Sequence, residues 1–290
     1  MNVLVTGGAG FVGTNLIIEL IKYNHTVVSI DNYSTGLKSN HQPGVTYLER
    51  DIVNIEDYNE FGNFDVIYHL AAIARIQPSF KNPLGYFNTN ALATFKLCEF
   101  CYKNNIPIIF SGSSSHHSGK FKNPYTFSKD IGEEIITLYQ KHFGLKATIA
   151  RFYNVYGPYH LKEGGYCTLI GKWENNIEKG EPLTIYGDGT KRRDFTHVKD
   201  IIGALILIFN KQTWGYIFEL GTGKNYSIEE VSKMFNKTVI YEEDKPGEAQ
   251  STLCQDKLAK EILDWQIKFN LEDYIKTYLN ENKLNTTIKE

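Results

Sequence analysis

Short apolar runs alternate with longer stretches of helical period through the first half of the chain. Val3, Leu4 and Val5 form the first run, and Phe11, Val12, Leu16, Ile17, Leu20 and Ile21 then recur at the spacing of one helix face. Elsewhere the same two periods predict strands at 2–6, 26–31, 45–49, 65–69, 107–111 and 146–150. They predict helices at 11–23, 84–104 and 125–142, with a weaker helical turn near 55–60. Alternation of this kind is the pattern of a parallel sheet covered by helices on both faces. Since such crossovers are right-handed, the expected fold is an α/β, doubly wound parallel sheet with its ligand at the carboxyl ends of the strands.

After Arg151 the alternation breaks into loops marked by Gly157-Pro158, Gly164-Gly165, Glu181-Pro182, Gly187-Asp188-Gly189 and Pro246-Gly247. Helices are expected at 168–179, 199–210, 227–236, 256–264 and 271–282, and short strands near 183–186, 216–220 and 238–242. This second half reads as a smaller mixed lobe. The expected division is a cofactor domain at 1–155 that also receives parts of 188–222, and a substrate lobe from 156–187 and 223–284. The polar end, 285–290, reads as a frayed tail.

Chemistry enters at the first strand–helix junction, Val5-Thr6-Gly7-Gly8-Ala9-Gly10-Phe11-Val12-Gly13. Gly7 permits a tight turn out of the strand, Gly10 lets backbone approach a pyrophosphate, and Gly13 lets helix and strand pack closely. Unpaired helix N–H groups then face the anion. The second strand ends in Asp31, followed by Asn32, about where a dinucleotide fingerprint places an acid. A carboxylate there binds ribose hydroxyls and repels a 2′-phosphate, so NAD is expected rather than NADP.

Asn123-Pro124-Tyr125-Thr126-Phe127-Ser128-Lys129 opens the helix after the fifth strand, with Asn123 suited to the cap and Pro124 to the first turn. Tyr125 and Lys129 share one face. The Lys129 ammonium and the positive helix end both favour phenolate, so the Tyr125 pKa is expected to fall toward neutrality and suit proton transfer. Taken alone, such a pair is also common as surface support for a helix. Upstream, Ile108 to Ser115 is a buried strand running into a hydroxyl-rich loop at the carboxyl edge of the sheet, beside the expected nicotinamide.

Composition narrows the picture. With 290 residues, 42% hydrophobic and 22% charged, the chain can bury one sizeable core and a smaller one. A net charge of −2 gives no broad basic face, so nucleic acid is not an expected partner. No apolar run is long enough for a membrane span, and the chain opens directly on strand and turn, so a cytoplasmic setting is expected. Cys98 and Cys101 lie within a helical pattern with no second pair, which points to packing rather than zinc. His116 and His117 are adjacent and lack a supporting acid or Cys cluster in sequence, so no metal is expected.

In their order, these motifs resemble the extended short-chain dehydrogenase/reductase family, in particular its NAD-dependent nucleotide-sugar epimerases of the UDP-glucose 4-epimerase type. The resemblance runs through Asp51-Ile52, His69-Leu70-Ala71-Ala72, Asn90, the Ser loop, Tyr125 and Lys129. It continues in Arg151-Phe152-Tyr153-Asn154-Val155-Tyr156-Gly157-Pro158, Tyr186 to Gly189, Arg193 to Val198 and Pro246-Gly247-Glu248. It implies a Rossmann-type cofactor domain in which Gly7, Gly10, Phe11, Val12, Gly13, Asp31, Asn32, Asp51, Ile52, Leu70, Ala71, Ala72, Asn90 and Tyr153 serve NAD. By the same resemblance Lys129 holds the nicotinamide ribose, Tyr125 is the acid/base and Ser113 its hydroxyl partner. Asn154 and Arg193 would face the substrate diphosphate, and a guanidinium suits that anion. By the same resemblance the long helices 84–104 and 125–142 form the bundle of a homodimer, so a homodimer is expected.

Departures refine the expectation. Dehydratases resembling this chain carry an Asp-Glu pair after the loop threonine, whereas here Ser113-Ser114-Ser115-His116-His117 has no carboxylate. Hydride transfer at C4 remains: epimerisation through a transient 4-keto sugar, or alternatively net oxidation or reduction by a C4 dehydrogenase or ketoreductase. A non-catalytic NAD-binding regulator is the least favoured reading, because the Tyr/Lys pair is intact. Similar epimerases continue the Ser loop as Val-Tyr-Gly, so one of the two histidines, His117, is expected to touch sugar or nucleotide. Lys245 stands where an Arg usually precedes Pro-Gly-Glu, keeping the charge and losing the planar fork.

Overall fold

The computed structural model describes residues 1–287. Six strands come from the first half: β1 (Asn2–Thr6), β2 (Thr26–Asp31), β3 (Thr46–Glu49), β4 (Val66–His69), β5 (Ile108–Ser113) and β6 (Ala147–Phe152). The second half adds β7 (Leu183–Tyr186), β8 (Arg192–Asp194), β9 (Ile217–Leu220), β10 (Asn225–Ser227) and β11 (Val239–Glu242). Between them lie α1 (Phe11–Lys22), α2 (Ile76–Lys81), α3 (Pro83–Phe87), α4 (Ala93–Lys103), α5 (Pro124–Phe143), α6 (Leu169–Lys179), α7 (Val198–Asn210), α8 (Ile228–Phe235), α9 (Leu258–Leu263) and α10 (Leu271–Thr287).

Seven strands form one parallel sheet in the order β3-β2-β1-β4-β5-β6-β9. The direction of winding reverses between β1 and β4, and a crevice opens there at the carboxyl ends. Strand alternation sends Val3 and Val5 to one face and Leu4 to the other. The first face packs against α1, α7 and α9 through Leu16, Ile17, Ile201, Leu205 and Leu263. The second packs against α4 and α5 through Leu97, Cys98, Cys101, Ile136 and Tyr139. The cysteine pair is thus core packing, with burial pushing both thiols up.

A third core, around Trp173, Ile185, Phe195, Val231, Phe235 and Ile275, belongs to the lobe. Its sheets are two short ribbons, β10 antiparallel to β8 and β11 parallel to β7. The pattern at 192–194 and 225–227 is too short and polar to be read as strand, and both were missed. The stretch 258–265, assigned by sequence to the lobe, instead packs Ala259, Leu263 and Trp265 under the main sheet. The frayed tail is corrected in part: α10 continues to Thr287, and residues 288–290 lie outside the described residues.

The expected helix at 84–104 contains a π turn at Asn88–Leu92 between α3 and α4. Asn90 sits in that turn, and its side chain bonds Ile73 N (2.9 Å), Ile73 O (3.0 Å) and Ser128 Oγ (2.9 Å). The turn therefore ties the loop after β4 to α5. Helix α5 begins as expected: Asn123 Oδ1 accepts from Thr126 N at 2.8 Å, and Pro124 follows in the first turn.

Candidate active site

Gly7 turns out of β1 with φ 75°, and a Cβ there would lie 2.7 Å from Ala71 N. A Cβ on Gly13 would lie 2.2 Å from Gly7 O, so helix and strand approach as closely as glycine allows. Gly10 precedes α1 without any side-chain cap, leaving first-turn N–H groups toward the cavity that Phe11 and Val12 line. Asp31, buried at the end of β2, accepts from Ala9 N (3.0 Å) and Tyr33 N (2.8 Å), which clamps the turn to the next strand. Burial raises its pKa, against the pull of those N–H groups. A cradle that any Cβ would fill, a helix N-terminus and an acid at the second strand end together fit NAD.

One continuous cavity runs from this turn past Asn32, Ile52, Leu70, Ala71, Ala72, Ser113, Tyr125 and Lys129 to Asn154 and Arg193. At its centre, Tyr125 Oη donates to Ser113 Oγ at 3.2 Å. The expected effect of Lys129 on Tyr125 is corrected. Lys129 Nζ donates to Ser111 O at 2.5 Å and lies 4.5 Å over the Phe110 ring. Burial pushes its pKa down to about 8. The Tyr125 pKa is raised, chiefly by burial, with the Ser113 bond and the Arg75 charge opposing.

Several expected site residues stand behind the wall rather than in it. Asp51 caps the turn at Ile52–Asn54 through Val53 N (2.9 Å) and takes a bond from Asn32 Nδ2 (3.1 Å). Asn90 holds the loop after β4, as above. Tyr153 is buried with its hydroxyl on Glu219 Oε2 at 2.9 Å. His117, expected on the sugar or nucleotide, instead pairs with Glu219 Oε1 at 2.9 Å and does not line the cleft. His116 pairs with Asp130 at 3.0 Å, so both rings staple the loop after Ser113 to the sheet and to α5. Their acids come from positions far along the chain, which is why sequence pointed them the wrong way. Asp130 and Glu133 gather with His116 closely enough to hold a cation, but Glu133 is engaged by Arg151 at 2.6 Å.

On the lobe side, Asn154 Nδ2 donates to Asp194 O (2.8 Å) and Thr252 Oγ1 (3.0 Å). Arg193 Nη2 meets Glu248 Oε2 at 3.2 Å, not the neighbouring Asp194. A second cavity, in the lobe, is lined by Lys245, Lys191, Lys172 and Arg193. Lys245 Nζ lies 3.3 Å over the Tyr186 ring. Sequence reasoning missed Arg75, Tyr166, Glu248 and Thr252 as lining residues. Arg75 alone left a signal, a cation just past an apolar strand end.

Fold and cleft together define an NAD-dependent enzyme of the extended short-chain dehydrogenase/reductase type. The profile of the NAD dependent epimerase/dehydratase family matches residues 3–221, and the chain belongs to that family. A UDP-N-acetyl-alpha-D-glucosaminuronate decarboxylase of Bacillus cytotoxicus is 30% identical, over 79% of this chain and 78% of its own length. The UDP-glucose 4-epimerase of Thermotoga maritima, solved with UDP-glucose, superposes with TM-score 0.91 at 27% identity, covering 97% of this chain and 99% of that one. The UDP-glucuronic acid 4-epimerase of Bacillus cereus, solved with UDP-glucuronic acid and NAD, gives 0.88 at 27% identity, covering 98% and 100%. Among the described residues no helix is long and apolar enough to cross a membrane.

Proposed function

We propose that the protein is a nucleotide-sugar 4-epimerase that oxidises C4 and reduces it again on the other face. The observation that carries this is the Tyr125–Ser113 pair at the carboxyl end of β5, in one cavity that also reaches the glycine turn and Arg193. Tyr125 removes the C4 hydroxyl proton and later returns it, and Ser113 fixes the orientation of that hydroxyl. Bound NAD supplies a reversible hydride acceptor. Gly7, Gly10 and Gly13 would seat it, Asp31 would take its adenosine ribose, and Lys129 would take its nicotinamide ribose.

Epimerisation requires the keto sugar to turn over while the nucleotide stays fixed. Asn154, Arg193 and Lys245 are the anchor for the diphosphate end, and the matched 4-epimerases support a UDP sugar. The unpaired cysteines suit a reducing, cytoplasmic setting. A homodimer is part of the proposal, because Leu84, Phe87, Phe95, Tyr102, Leu138 and Phe143 leave exposed apolar surface along α3, α4 and α5.

The test is a panel of UDP-, GDP-, dTDP- and CDP-sugars with the NAD-loaded protein, scored for C4 epimers. Interconversion that is lost in Tyr125→Phe is the expected result. No interconversion of any sugar, or a keto sugar accumulating with net cofactor turnover, overturns it.

A further inference from the structure

Arg75 lies in the loop between β4 and α2 with φ 145° and ψ 141°, a conformation that glycine populates and residues with side chains avoid. Strained backbone of this kind persists only where the surroundings hold it. Here Nε donates to the carbonyls of Tyr166 and Cys167, each at 3.1 Å, and the Arg75 carbonyl accepts from Tyr86 Oη at 2.8 Å. Its two terminal nitrogens have no hydrogen-bond partner among the described residues. Both cavities of the cleft are lined by this residue.

Its position relative to the proton-transfer pair is what matters. The Tyr86 ring that touches the Arg75 backbone packs edge-on against the Tyr125 ring, centroids 6.3 Å apart. The Arg75 charge favours the Tyr125 phenolate. Glu248 faces the guanidinium from the 246–248 loop, but its oxygens are taken by Arg193 (3.2 Å) and Gln77 (3.3 Å). A half-buried guanidinium fork with free donors therefore stands beside the group proposed to work at C4. A neutral hexose would leave that charge without a partner in the cleft, whereas a carboxylate accepts two parallel N–H bonds from it.

We infer that the sugar is a hexuronate whose C6 carboxylate, carried on C5 beside the reacting C4, is received by the terminal nitrogens of Arg75. This rests on the reading that Tyr125 acts at C4. It makes Arg75 a specificity-determining residue, distinct from the diphosphate anchor at Arg193.

Equilibrium binding of UDP-glucuronate and UDP-glucose to the NAD-loaded protein tests it, since the two differ only in the carboxylate. The wild type is expected to prefer the uronate by about 10- to 100-fold, the range for a hydrogen bond between charged groups. Arg75→Gly removes the charge while suiting the backbone, so its thermal midpoint should hold or rise and the preference should vanish. Arg75→Lys, keeping charge without the fork, should fall between. Equal binding of the two sugars by the wild type, or failure of both to bind at millimolar concentration, overturns the inference. So does equal weakening of both by Arg75→Gly, which would assign Arg75 to the shared diphosphate, or a lowered midpoint with the preference intact, which would make it structural. Because binding needs no turnover, an inactive epimerase that still prefers the uronate overturns the proposed reaction and leaves this inference standing.

Discussion

At Gly13 an added methyl group would stop 2.2 Å from the carbonyl oxygen of Gly7, while across the same cleft the Arg193 guanidinium is held by one carboxylate at 3.2 Å. The cofactor half is made of backbone: a glycine turn, a helix end and strand termini in van der Waals contact. Its counterpart across the cleft is made of side chains, Arg75 and Asn154 from loops at the edge of the main sheet and Arg193 and Lys245 from the lobe. Backbone sites tolerate almost no change, and side-chain sites can be retuned one group at a time. A side-chain half that can be retuned fits a family whose matched members include a decarboxylase and 4-epimerases.

The sharpest way to break this comparison is Gly13→Ala. It should destabilise the fold by roughly 1–3 kcal/mol through overpacking and abolish NAD retention, read by thermal melts and by cofactor content after gel filtration. Retained NAD would show that the backbone half is as adjustable as the other. Next in size is Tyr125→Phe, which should lower kcat by about 10²- to 10⁴-fold with little change in the melting temperature, because only a hydroxyl and its bond to Ser113 are lost. In the lobe, Arg193→Lys should raise KM by about 10-fold and spare NAD content, consistent with loss of one charge-assisted hydrogen bond. An equal loss of NAD in that variant would erase the distinction between the halves.

Acid should load both halves alike, through one buried histidine in each. His69, at the end of β4 between Thr6 Oγ1 (2.7 Å) and Thr94 Oγ1 (3.0 Å), is held by burial at a pKa of about 3. His197, stacked on Phe269 in the lobe, is held at about 4 for the same reason. Both titrate near 6.5 when unfolded. Below that pH the unfolded chain takes up protons that the folded chain refuses, so stability is complete above 6.5 and falls as pH drops, by up to about 1.4 kcal/mol per pH unit for each histidine. Urea melts from pH 7 to 4 should show that slope, and His69→Gln and His197→Gln should each flatten it. An unchanged slope in both variants would place the acid sensitivity elsewhere.

Legibility in the sequence follows the same division. Most of the sheet was readable because β1, β4, β5 and β6 are buried nearly throughout and its helices keep a helical period, and the glycine turn was readable because only glycine satisfies its contacts. Ser113, Tyr125 and Lys129 line one cavity for a related reason: strand end and capped helix fix them locally. His117 was not, since its partner Glu219 lies 102 residues away and no local pattern carries that information. The same holds for the Tyr125 pKa. Spacing puts Lys129 on the right face, but burial and the Ser111 carbonyl decide what its charge does. Arg75 left only a cation past a strand end as its signal, because the strained backbone angle that aims it leaves no mark on residue type.

The central claim is that the hydride leaving C4 returns to the same carbon. Incubating the NAD-loaded protein with a nucleotide sugar carrying deuterium at C4, and locating the label by mass spectrometry and NMR, tests it directly. Both C4 epimers should form with deuterium still at C4 and no reduced cofactor in solution. Deuterium recovered in released NADH, or lost from C4 in the product, would contradict the account.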